Sequence, residues 1–151
     1  MNAKDVARVL AWAAESEEEP DRLTNMRVQK LLYYVQGWAL AKHGRPLFPE
    51  RIEAWVHGPV VRELYGDLKR FGSNAIDPRE LGDYDAQPTD EEVKFVRSVW
   101  EAYKDYSTTS LRAMSHDESP WRDARAGLEA SDPCEREITP EAMRAFFSQA
   151  A

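Results

Sequence analysis

The sequence predicts a mainly α-helical, single compact domain with a small β element around residues 51–57. Three observations carry this. Apolar residues recur at helical spacing through most of the chain, as at Val6, Val9, Leu10 and Ala13. Residues 51–57 alone alternate like a strand, with Ile52, Ala54 and Val56 on one face and Glu53, Trp55 and His57 on the other. The 151-residue length suits one domain with a substantial core.

The first helix is expected over residues 4–14. The charge run Glu15-Ser16-Glu17-Glu18-Glu19-Pro20-Asp21 then breaks it, so residues 1–21 read as a helix and an acidic loop. Thr24 is a suitable N-cap for a second helix over 25–43, and Gly44 is a suitable stop. Val28, Leu31, Leu32, Val35, Trp38, Ala39 and Lys42 trace its inner stripe; Tyr34, Gln36 and the edge of Tyr33 fall off that stripe, where such aromatics belong to the core or its rim unless they serve a binding surface. Gly37 costs helix propensity, about 1 kcal/mol relative to Ala, and so marks a place where another element approaches closely.

Residues 45–50, rich in proline, lead into the strand. Gly58-Pro59 then suggests the start of a helix over 59–71, with Pro59 in the first turn, Val61, Leu64, Tyr65 and Leu68 inside, and Gly72 as its stop. Residues 73–89 form an acidic loop. Thr89-Asp90-Glu91-Glu92 is a capping box opening a helix over 90–106. A short helix over 107–116 follows, then one over 120–126 with Ser119 as cap and Pro120 at its first position. Ile138 can pair beside the strand, and a last helix runs from 139 to 147, leaving a small-residue terminus at Ala150-Ala151. The part after Gly127 is the least constrained.

Composition narrows the function classes. A hydrophobic fraction of 42% with five Trp and six Tyr excludes wholesale disorder. No apolar run reaches membrane-spanning length and no secretory leader pattern is present, so a cytoplasmic protein without membrane partners is expected. Net charge is −7, but residues 22–72 carry nine basic groups against four acidic ones. Overall acidity argues against nucleic acid as a partner, whereas the locally basic block suits an acidic protein.

No catalytic constellation, cofactor motif or metal-ligand spacing emerges. His43, His57 and His116 are scattered, and the one cysteine, Cys134, lacks a basic pair to activate it. The sole cluster with enzyme-like chemistry is Ser115-His116-Asp117-Glu118, where His116 could act as a base oriented by Asp117 or Glu118. A simpler reading places a cation at one helix end and carboxylates before the next. The alternative to a binding module is therefore a small hydrolase or nucleic-acid-binding regulator using the His57/His116 region.

Three ordered segments resemble the Panacea family of antitoxins and phage-associated proteins. They are Val28-Gln29-Lys30-Leu31-Leu32-Tyr33-Tyr34 with Gln36 and Trp38, then Ile52 through Val61, then Leu111 through Trp121. The resemblance implies an antitoxin that binds and neutralises a cognate toxin, and that in some members works as an adaptor presenting the toxin to ClpX of the ClpXP protease. The surplus aromatics place the expected partner surface at Tyr34, Trp38, Trp55, His57, Gly58, Pro59, Tyr65, His116, Pro120 and Trp121.

Overall fold

The computed structural model describes residues 1–150. Its organising element is helix α2 (Asn25–His43), around which the rest is laid. Thr24 caps it by accepting from the Arg27 amide, and Gly44 ends it in the left-handed conformation, as the sequence predicts. Helix α1 (Ala3–Glu15) and helix α4 (Asp90–Tyr103) pack together and against α2, and the predicted Thr89–Glu92 capping box is fully formed. Helix α5 (Thr108–Asp117) packs against α2, α6 (Ser119–Ala124) packs against α5 and α7, and α7 (Pro140–Ala150) makes the most extensive packing against α2.

The inner-stripe expectation for α2 needs correcting. Tyr33, Tyr34, Gln29, Lys30 and Gln36 are buried along with the aliphatic positions, because neighbours enclose this helix on every side except toward its C-terminal end. Polar side chains are tolerated there when local backbone satisfies them. Gln36 donates to the Phe48 carbonyl at 2.8 Å and accepts from the Leu47 amide at 2.9 Å, which pins the proline-rich connection. At Gly37 a Cβ would lie 2.1 Å from the Phe147 ring, so the glycine does admit a close approach, by α7.

The β element is larger than predicted and replaces the start of a helix. Strand β1 (Ile52–Trp55) pairs antiparallel with β2 (Gly58–Val60), and β3 (Glu137–Ile138) adds on the other side in the order β2-β1-β3. Trp55 faces Gly58 across a two-residue turn, Val56-His57. Pro59 is therefore a strand residue rather than a helix start. The following helix, α3 (Arg62–Leu68), has Val61 as a cap with no side-chain bond, and its end tightens into a 3₁₀ turn, Lys69–Phe71. The Val61 amide donates to buried Gln29 Oε1 at 2.9 Å, so α2 decides where the strand gives way to the helix.

Two further expectations shift. The residue before α6 that adopts the extended cap conformation is Glu118, not Ser119. Helix α7 runs through Ala150, so the terminus expected beyond it is helical up to that residue, and Ala151 lies outside the described residues. The acidic loop contains a 3₁₀ turn, Pro78–Leu81, tied to α1 by a buried pair. Arg8 donates to Asp5 at 2.7 Å and to the Leu81 carbonyl, and Asp5 accepts from the Asp85 and Ala86 amides. No helix is long and apolar enough to cross a membrane among the described residues.

Candidate functional site

The three segments singled out in the sequence converge on one place: the first half of α2, the β1–β2 hairpin, and the junction of α5 with α6. Glu118, at that junction, accepts hydrogen bonds from Tyr33 Oη (2.9 Å) and Tyr34 Oη (3.2 Å). Burial pushes the Glu118 carboxyl up to about 7, against the two tyrosine hydrogen bonds that favour its ionised form. The same burial, followed by the Glu118 charge, raises both phenols far above the usual tyrosine range. Tyr34 stacks on Tyr103 at 4.3 Å, and Tyr103 Oη accepts from Trp38 Nε1 at 2.9 Å, extending the network along α2.

Beside this network lies a second group of basic character. Lys30 is fully buried and runs under the hairpin at Gly58; a Cβ there would lie 2.6 Å from Lys30 Cε. Gly58 has φ 120°, so both conformation and the lysine exclude a side chain at this position. His116 stacks face to face on Trp121 at 3.9 Å, and Trp121 Nε1 donates to the Trp55 carbonyl at 2.8 Å. Arg125 also lies over Trp121, 4.9 Å from its ring centroid, and donates to the Ala54 carbonyl. Lys30 Nζ and His116 Nε2 are buried and have no hydrogen-bond partner. Desolvation, then Arg112, lowers the Lys30 pKa to about 8, and desolvation with Arg112, Lys30, Arg125 and His57 lowers that of His116 to about 4.

On the outer side of the hairpin the surface is open. His57 is exposed at the tip of the turn, and Trp55 and Tyr65 are half-buried, edge to face at 5.0 Å. Arg62 sits over Trp55 and Lys69 over Tyr65, each 5.7 Å from its ring centroid. Glu53, whose carboxyl Arg62, Trp55 and Arg51 hold below the usual range despite its burial, ties Trp55 to α3: it accepts from Trp55 Nε1 at 2.8 Å and from Arg62.

The predicted partner residues therefore divide. Tyr34, Gly58, Pro59, Pro120 and Trp121 are enclosed by the chain itself; Trp38 and His116 are half-buried; Trp55, His57 and Tyr65 share the open face. Lys30, Arg112 and Arg125 belong to the same neighbourhood without having been singled out by the sequence, and Glu118, a candidate partner of His116 there, instead serves Tyr33 and Tyr34. Their one sequence signal was position, inside or next to the three segments. Of the carboxylates beside His116, Glu118 is engaged by two tyrosines and not by His116. No grouping of His, Cys, Asp and Glu able to hold a metal ion is found among the described residues.

The model of the family described as "Antitoxin SocA-like, Panacea domain" matches residues 28–122, more than half of the chain and the span that holds this site. The chain belongs to this family. Within the SocA-like Panacea family, it is similar to antitoxin SocA of Caulobacter vibrioides, with 38% identity over 81 residues. That alignment covers 54% of this chain but 42% of the Caulobacter protein, so the match spans less than half of that relative's length. No solved structure matches. The Panacea segment begins inside α2 and ends inside α6, and the helices α1 and α7 that complete its packing lie outside it.

Proposed function

We propose that this protein is an antitoxin that neutralises a cognate toxin by direct protein–protein binding, acting as a binding module rather than an enzyme. The observation that carries the reading is the family match over residues 28–122. The partner face is the outer side of the β1–β2 corner. There Trp55 and Tyr65 offer aromatic area already ordered by cations, and His57 stands clear at the tip. Aromatic side chains held this way lose little freedom on binding, which favours them as contact anchors. The buried Tyr33–Tyr34–Glu118 network and the Trp121 turn act indirectly, by holding the hairpin against α2. In its finer form the reading includes delivery of the bound toxin to ClpXP, a role implied by likeness to the family alone.

The test is co-expression with the toxin encoded by the neighbouring reading frame, followed by pull-down and growth rescue. Trp55→Ala combined with Tyr65→Ala is expected to weaken capture at least tenfold while circular dichroism stays unchanged. His57→Asp, a change at an exposed turn position, is expected to weaken it several-fold. Full rescue by both variants would refute the proposed face, and failure of the wild type to capture the toxin would refute the function. Toxin half-life in cells with and without ClpX reads the delivery step separately.

A further inference from the structure

Buried cations are ordinarily paired with an anion or a set of carbonyls, because an unpaired charge in a low-dielectric interior is heavily penalised. The corner under the hairpin breaks this rule. Lys30 is fully buried, yet its Nζ makes no hydrogen bond, and no carboxylate lies within ion-pair distance among the described residues. His116 Nε2, also buried, is unpartnered as well. Around them stand further basic groups. Arg112 lies one helical turn before His116 and acts on both Lys30 and His116, while Arg125 and His57 act on His116. Arg125 spends its donors on backbone carbonyls, from Ala54 to Asp132, and on no acid. The nearby carboxylate, Glu118, is turned to Tyr33 and Tyr34 on the other side.

The arrangement is specific. Gly58 lacks the side chain that would collide with the lysine stem, and the Trp121 stack fixes the plane of the His116 ring. From this geometry we propose that Lys30, His116 and Arg112 form an oxyanion-binding site beneath the β1–β2 turn. The anion is a carboxylate or a phosphate, held by the Lys30 ammonium and the His116 Nε2–H with Arg112 at the mouth. Entry needs only a swing of the flexible lysine stem toward the exposed His57 turn, since a lysine can carry its ammonium outward while its methylenes stay packed. Two unpartnered nitrogens, Lys30 Nζ and a His116 Nε2 that donates when it carries the ring proton, with three further basic groups make an oxyanion the ligand that offsets the buried charge. In its carboxylate form the site deepens the antitoxin reading and rests on it, because an acidic side chain of the toxin docked at the hairpin would reach this place.

The proposal is tested without toxin, by following the Lys30 ¹³Cε and His116 imidazole resonances through pH titration in chloride, then with inorganic phosphate, then with N-acetylglutamate as the carboxylate probe, at constant ionic strength. An oxyanion favours the charged lysine, so its midpoint is expected to rise by at least one unit with the probe that fits. Phosphate alone moving it identifies a free phosphate ligand; N-acetylglutamate moving it identifies a carboxylate. In Lys30→Met the His116 response is expected to vanish, and in Arg112→Gln, a change at an exposed position, the probe concentration needed is expected to rise several-fold. A Lys30 midpoint unmoved by both probes overturns the proposal, as does an undiminished His116 response in both variants. Because no toxin is present, these outcomes stand whatever becomes of the antitoxin reading.

Discussion

Replacing Lys30 by Met should stabilise this protein at neutral pH. The lysine is fully enclosed, its ammonium is unpartnered, and desolvation lowers its pKa from the ordinary 10.5 to about 8. A difference of about two and a half units, at 1.36 kcal/mol each, makes the charged lysine a destabilising element of about 3 kcal/mol at pH 7. Methionine keeps the stem volume and removes the charge, so swaps of this shape cost little in packing. The sign with pH follows from the direction of the shift. Between pH 8 and 10.5 the unfolded chain binds the extra proton, so wild-type stability gains on the variant as pH rises, and the penalty is gone once Lys30 is neutral in both states. Urea unfolding of wild type and Lys30→Met at pH 7 and pH 10, without phosphate, gives the difference directly. A gap of 2–3 kcal/mol in favour of the variant at pH 7, shrinking at pH 10, is the expected result. A variant less stable than wild type by more than about 1 kcal/mol at pH 7 would refute the reasoning, since it would mean that Lys30 has a stabilising partner.

Other expectations follow from named contacts. Glu118 has its folded pKa raised to about 7 from 4.5, so the folded state binds the extra proton between these values and stability falls as pH rises through them. Glu118→Gln should flatten that dependence by about 1 kcal/mol, allowing for partial solvent screening, as read from urea midpoints at pH 5 and pH 8. Gly37→Ala, whose Cβ would meet the Phe147 ring at 2.1 Å, should lower stability by about 2–3 kcal/mol. Gly66→Ala in α3, with nothing within 4 Å, should be neutral or stabilising by up to about 1 kcal/mol, both glycine variants being read by urea unfolding. Asp5→Asn should loosen the acidic loop, seen as faster amide exchange at Asp85 and Ala86, whose amides it accepts.

What the sequence made legible was whatever local chemistry decides. Thr24 and Gly44 bound α2, and Thr89 with Glu92 opens α4, because caps act within one turn. Ile138 was read as pairing beside the strand, and it does, opposite Ile52. The misreadings are tertiary. Gly58-Pro59 looks like a helix start, yet Gln29 in α2 takes the Val61 amide and holds residues 58–60 in the hairpin. Tyr33, Tyr34 and Gln36 fall off the main apolar stripe, because periodicity assumes that a helix has one wet side, and α2 has none except toward its end. The basic corner was invisible for the same reason: Lys30 reaches Gly58 across 28 positions of sequence, and no spacing rule encodes that approach.

A helix packed on all sides except toward its end constrains how such a domain can diversify. Several buried positions of α2 already answer to a particular neighbour: Gly37 to Phe147, Gln36 to the backbone at 47 and 48, Tyr33 and Tyr34 to Glu118. A substitution there has to be matched elsewhere before the fold recovers. The turn at Val56-His57 and the outer face of α3 owe nothing comparable to the interior, and Gly66 meets no neighbour at all. Α new binding preference is therefore most readily selected at that rim, while the axle beneath it stays fixed.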